Sequence, residues 1–146
     1  MSTSYVPLEA GRLDELRTRS YPDGVICLNL LKFKPSAILE GETLSGAEIY
    51  QRYAATAIHT ITEVGGCIVA FGNAAFALIG PQEEWDSTAI VWYPSVKAFT
   101  GMMKIPAYEN VVHLRSLALA DSRLIPLAAP PGYASYVKGL DPSALG

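Results

Sequence analysis

The chain has 146 residues, enough for one domain with a real core; half of them are hydrophobic and only 17% are charged. That is well under the roughly 25% of an ordinary domain, too little charge for the surface of a small monomer, so a second copy is expected to cover part of the apolar surface. A net charge of −3 with a pI near 5.3 argues against nucleic acid, and no apolar run approaches the ~18 residues of a membrane helix. The opening residues lack the charged-then-apolar order of a signal peptide, so the expected location is the cytoplasm.

Residues 1–23 read as an N-terminal extension with a short helix over "LDELRTR", closed by the turn signal Tyr21-Pro22-Asp23-Gly24. A strand follows over Val25–Phe33, "VICLNLLKF", apolar almost throughout but with Asn29 in its middle. "KPSAILEGET" reads as a loop. Ser45 and Glu48 form a capping box that opens a helix running to about Val64, where Gly65-Gly66 stop it. At ~100° per residue, Tyr50, Tyr53, Ala54, Ala57, Ile58, Ile61 and Val64 share one face, and Arg52, His59 and Glu63 the other.

"CIVAF" and "AFALIG" read as one strand interrupted at Gly72-Asn73, as a bulge or as a hairpin arm bending there. A turn over Pro81–Glu84 leads to the strand "DSTAIVWY". Ser95 caps a helix over Val96–Lys104, and Pro106 suits the first position of another that runs to about Ala120. "SRLIPL" is the last strand, and Pro126 inside it places that strand at a sheet edge, since proline cannot donate to the ladder. Residues 128–146 form a tail apolar enough to drape over a partner.

The order strand, helix, strand, strand, helix, strand is the split βαβ pattern of an α+β, ferredoxin-like domain over residues 24–127, with an antiparallel sheet and its helices on one face. Ile26, Leu28 and Leu30 alternate with Val25, Cys27 and Leu31, so the uncovered face is apolar too. A second copy of the same sheet is the economical cover, which predicts a homodimer with a barrel-like core between subunits. This order puts the first strand at the centre and the second at an edge, so Cys27 and Cys67 should not be bonded; both read as small buried hydrophobes.

The segments "LNLLKFK", "SGAEIYQRY", "IGPQEEWDSTAIVWYPSVKAF" and "PAYENVVHLRSLALADSRLI" resemble the DUF1330 family, within the dimeric α+β barrel superfamily, over about Val25–Leu127. The resemblance implies a ferredoxin-like protomer and dimerisation, and no assigned activity. The superfamily also holds cofactor-independent monooxygenases, muconolactone-type isomerases and haem proteins, which lend fold-level analogy only.

No nucleophile elbow, phosphate loop, dinucleotide fingerprint or H-E-x-x-H motif is present in the sequence, and no flavin, metal or other cofactor site is legible. His59 and His113 lie on polar helix faces, where a haem ligand, which needs an apolar wall, is not expected. Arg115 is the most informative residue, because it projects from the apolar face that Tyr108, Val111, Val112, Ala118 and Leu119 form. A guanidinium keeps its proton, so burying it requires an anionic partner. The simpler reading pairs Arg115 with Asp86 or Asp121 to pin helix to sheet. The sharper one has Arg115 receiving a carboxylate, phenolate or enolate of a ligand. Asp121 and Arg123 are expected at a subunit interface.

Two functional readings follow. In the first, the chain is a monooxygenase- or isomerase-like enzyme acting on an aromatic or enolisable substrate, with Asp86 and Arg115 as catalytic candidates. Asn29, Tyr50, Tyr53, Trp92 and Arg115 then bind the ligand. In the second, it is a non-catalytic dimer, binding a metabolite or serving as a scaffold, in which these polar residues are structural.

Overall fold

The computed structural model describes residues 3–82 and 84–140, so residues 1–2 of the extension, Glu83 of the expected turn and residues 141–146 of the expected tail lie outside the described residues. Helix α1 (Ala10–Thr18) precedes strand β1 (Val25–Phe33), and a small hairpin of β2 (Ala37–Leu39) and β3 (Glu42–Leu44) leads into α2 (Gly46–Glu63). Then come β4 (Cys67–Asn73), β5 (Ser87–Tyr93), α3 (Val96–Met102), α4 (Pro106–Ala118), β6 (Leu119–Ala128) and α5 (Tyr133–Lys138). The main sheet has the order β4-β5-β1-β6, antiparallel throughout, which is the ferredoxin-like arrangement. β6 is an edge strand, as Pro126 requires, and Cys27 and Cys67 are both free, on strands separated by β5.

Local chemistry fixes the helix ends. The Ser45 side chain accepts from the Glu48 amide at 3.1 Å, and the Ser95 side chain accepts from the Ala98 amide at 3.0 Å. Gly65, at φ 83°, ends the α2 region in a conformation that a side chain would resist. The expected loop at 34–43 is instead the β2–β3 hairpin, turned by Glu40 and Gly41 at φ 51° and 79°. Paired positive φ values are the geometry of a tight hairpin turn, and Glu-Gly is a weak form of the Asn-Gly signal that would have announced it.

Two further expectations are corrected. The "AFALIG" segment is not strand: β4 ends at Asn73, its pairing with β5 slips between Ile68 and Ala70, and Leu78 and Ile79 lie in an exposed loop. In α2 the buried set includes Ile49 and Thr60, while Ile58 is exposed. The reason is that α2 packs sideways on α4 and α3 as well as facing the sheet, so its covered arc is wider than one stripe: Ile49 meets Leu44 and Ala118, and Thr60 lies 3.5 Å from the Met102 sulfur.

Val25, Cys27 and Leu31 lie on the helix side of β1 and are buried, Val25 and Cys27 packing with Tyr53, Ala57, Tyr93 and Tyr108. Ile26, Leu28 and Leu30 point to the other face, where no helix among the described residues covers the middle of the sheet and they remain half-buried. The chain after β6 turns back over one end of that face. The Ala129 amide donates to Gly24 O, Ala134 donates to Asp23, and Val137 is buried. That described part of the tail therefore lies back against its own chain.

Candidate functional site

Because α2 and α4 pack against each other, they arch over the sheet and leave a cavity of about 1210 Å³ between. Its helix-side wall is aromatic. Tyr50 and Tyr53, one turn apart on α2, meet at a ring distance of 5.2 Å, and Tyr53 stands edge-on to Tyr108 of α4 at 5.8 Å. The hydroxyls of Tyr53 and Tyr108 share a hydrogen bond of 2.9 Å. Two O–H groups joined by one bond leave one hydrogen for another acceptor. The sheet-side wall carries Tyr93, Cys27 and Asn29.

Arg115 enters the same cavity from the last turn of α4. Its Nη1 donates to the Val6 carbonyl at 2.9 Å, and among the described residues no carboxylate forms an ion pair with it. Both expected partners are engaged elsewhere. Asp121 binds Arg123 at 2.8 Å and accepts from the amides of Tyr5 and Ser122. Asp86 accepts from the Phe33 amide at 2.8 Å, at the exposed far end of β1. The Arg–Asp pair expected to pin helix to sheet is therefore not made, and a permanent cation is left with one carbonyl and the phenol wall.

Asn29 and Arg115 line one cavity from opposite walls. Asn29 satisfies its amide locally, donating from Nδ2 to Ala89 O at 3.1 Å and more weakly to Cys27 O at 3.4 Å. Its Oδ1 accepts from no described residue, yet no fully buried side-chain polar atom among them is unpaired, so Oδ1 is open to the cavity.

Burial is the dominant electrostatic effect on the wall. It raises the phenols of Tyr50, Tyr53 and Tyr93 above their ordinary range and pushes the Cys27 thiol up to about 12. The nearby Arg115 charge opposes the rise at Tyr50 and Tyr53 without reversing it. The wall is thus neutral near pH 7 and presents O–H donors beside a cation, an environment that suits an incoming oxyanion.

Trp92 does not belong to this site. It pairs with Ile26, on the opposite sheet face, where it is 3% exposed and its Nε1 donates to Asp23 O at 2.9 Å. Its neighbour Tyr93 lines the cavity instead. Asp86 is outside the lining as well. Asp121 and Arg123 hold the N-terminal segment of their own chain: Ser122 Oγ donates to Tyr5 O at 2.7 Å, and the Arg123 guanidinium lies 4.9 Å from the Tyr5 ring and 5.1 Å from that of Trp85. The residues missed from sequence are Tyr93, Tyr108 and the segment Tyr5–Leu8. Strand alternation put Tyr93 and Trp92 on opposite faces without deciding which face was the helix side, and the apolar stripe of α4 could have found Tyr108; nothing in the sequence announced the segment. His59 and His113 are exposed, and among the described residues no cluster of His, Cys, Asp or Glu is placed to hold a metal.

A four-stranded antiparallel sheet in this order, under two helices that arch over a half-open polar–aromatic cavity, defines a ferredoxin-like α+β protein with a candidate ligand chamber. The chain belongs to the family described as domain of unknown function (DUF1330), whose match spans residues 37–126. A solved protein of unknown function from Rhodopseudomonas palustris is 34% identical, aligns over 88% of this chain and 98% of its own, and superposes with a TM-score of 0.80. More distant structures share the fold. A NIPSNAP domain protein from Burkholderia xenovorans (11% identity, 73% of this chain and 95% of its own, TM-score 0.50) is one. A dimeric ferredoxin-like protein of unknown function from Bacteroides fragilis (9% identity, 75% and 100%, TM-score 0.50) is another. No curated protein matches this chain.

Proposed function

We propose that this DUF1330 chain is a homodimeric binding protein for a small aromatic or enolisable anion, held in the cavity between sheet and helices. The observation that carries the reading is Arg115, a cation lining a tyrosine-walled cavity with no carboxylate partner among the described residues. Arg115 receives the anionic oxygens, the free hydroxyl hydrogens of the tyrosine wall add donors, and Asn29 Oδ1 accepts from a hydroxyl or amide on the ligand. A cavity of about 1210 Å³ exceeds the roughly 300–1,000 Å³ of most small-molecule sites and admits more than one ring.

The enzyme reading lacks the proton carrier expected of it. Asp86 lies outside the cavity, the buried phenols and thiol of the wall hold their protons tightly, and the two lining carboxylates, Glu9 and Glu15, are paired with Arg12 and Arg19, so binding is favoured over proton abstraction. Dimerisation through the uncovered sheet face is part of the proposal. Support for it comes from the half-buried row Ile26, Leu28 and Leu30 beside the exposed Ile125 and Leu127.

The test is Arg115→Met, assayed by thermal shift against benzoate, hydroxybenzoates and naphthoates. A ligand at a hundred times its Kd stabilises the wild type by about 2.7 kcal/mol, roughly 5–10 °C at this size. The variant should dimerise and melt like the wild type while losing that shift. If it unfolds or falls to monomers, Arg115 is structural.

A further inference from the structure

We propose that the segment Tyr5–Leu8 and helix α1 form a lid over the cavity, and that Arg115 and Ser122 are its latches. The segment supplies one whole side of the chamber: Tyr5, Val6, Pro7 and Leu8, followed by Leu13 and Leu16 of α1, all line it. Between these points the lid is thinly held. Leu8 is exposed, and Leu16 is the one residue of α1 that is buried. The remaining polar faces of α1 pair with themselves, Arg12 with Glu9 and Arg17 with Asp14, and so contribute nothing to docking.

The attachment is concentrated at the two residues nearest the start. Tyr5 is gripped on both sides of its peptide, its amide donating to Asp121 Oδ1 at 2.9 Å and its carbonyl accepting from Ser122 Oγ at 2.7 Å, with its ring on the Arg123 guanidinium. Val6 adds the fourth contact, its carbonyl on Arg115 Nη1. These are a few polar contacts, one of them made by a charged donor, and the apolar anchoring of the lid is confined to Leu16 and Leu13 on the core. Such a segment opens locally at far lower cost than the fold unfolds. The location of one latch matters most. The guanidinium that faces the chamber is the one that holds the lid, and it has four further N–H groups for a ligand. Closure of the chamber and occupancy of Arg115 are therefore mechanically joined.

The lid is useful only if the chamber binds a ligand as proposed above. Its test reads access to the chamber and needs no ligand, so either idea can fail alone. Cys27 lines the cavity and is buried, which makes its thiol a reporter of opening. In a Cys67→Ser background, labelling of Cys27 by a thiol reagent is timed in the full chain. The parent is compared with Ser122→Ala, Arg115→Met and Arg115→Lys. Loss of either latch should speed labelling roughly tenfold, with a rate insensitive to low denaturant because the opening is local, and lysine should restore slow labelling because it still donates to Val6 O. Trypsin cleavage at Arg12 and Arg17 should accelerate in the same variants. Equal labelling rates in parent and latch variants, or rates that rise only in step with global unfolding under denaturant, would overturn the lid. The Ser122→Ala arm is decisive if Arg115→Met proves unstable.

Discussion

Raising the pH should unfold this protein through the wall of its cavity. Tyr50, Tyr53, Tyr93 and Cys27 are all shifted upward, in each case chiefly by burial. A folded state that holds protons more tightly than the unfolded chain keeps that stability below the unfolded pKa and loses it as pH rises above. The unfolded references are 9.0 for the thiol and 10.0 for the phenols. Cys27 alone, moved from 9.0 to about 12, represents roughly 4 kcal/mol by the time the pH reaches that value. The three phenols add to that loss in the same direction once the pH passes their unfolded value of 10.0, against a typical domain stability of ~5–15 kcal/mol. Alkaline unfolding should therefore set in above the ordinary phenol range and not below it. The assay follows tyrosinate absorbance and far-UV circular dichroism through one titration. Part of the absorbance should appear reversibly with the dichroism unchanged, and the remainder only as the dichroism collapses. Full tyrosinate absorbance in a protein that keeps its dichroism would refute the argument, because it would mean that water reaches every phenol of the wall.

Gly46→Ala should destabilise although alanine is the better helix former, because a Cβ there would stand 2.6 Å from Ala118 O and closer still to Lys34 O. Neither backbone can yield, and we expect a loss of about 2 kcal/mol or more in urea unfolding. Trp92→Phe should cost about 1–3 kcal/mol by leaving the Asp23 carbonyl unpaired, while ligand-induced thermal shifts stay at wild-type size. Asp86→Ala should cost about 1 kcal/mol through the Phe33 amide and likewise spare binding; a lost ligand shift would return Asp86 to the site. Leu28→Glu, at the centre of the uncovered face opposite Ile90 and Ile125, should give a folded monomer in sedimentation velocity, and a dimer of unchanged affinity would remove that face from the interface.

The features legible in the sequence were those set by local rules. Ser45 and Ser95 announce helix starts, short apolar runs announce β1 and β5, and Pro126 announces an edge strand. The illegible features depend on what the chain meets after folding. Alternation separated Trp92 from Tyr93 but could not say which of them faced the helices, since both faces of β5 are apolar; Asp23 O and the returning chain after β6 decide it for Trp92. Asp86 is a candidate proton carrier on the condition that it is buried, yet it sits at an exposed strand end where the Phe33 amide has first claim on it. The extension was opaque for a related reason. Its grip on the domain is made of backbone amides and carbonyls, and every residue type carries those.

Asn29 shows how far a single misfit residue can be taken. A side-chain amide in the middle of an apolar strand must find partners or cost about 1–3 kcal/mol, and the strand itself supplies them. The Nδ2 group reaches Ala89 O, the carbonyl of its own cross-strand neighbour, so half of the amide is satisfied by the sheet geometry that surrounds it. The consequence is directional. With the nitrogen engaged at the sheet, the oxygen is the end presented to the cavity, and no other polar side chain of the middle of β1 faces that way. Across the chamber stand a guanidinium, which only donates, and phenol hydroxyls, which both donate and accept. On the binding reading proposed above, a ligand's oxyanion is therefore drawn to the Arg115 side and its hydroxyl or amide hydrogen to the Asn29 side.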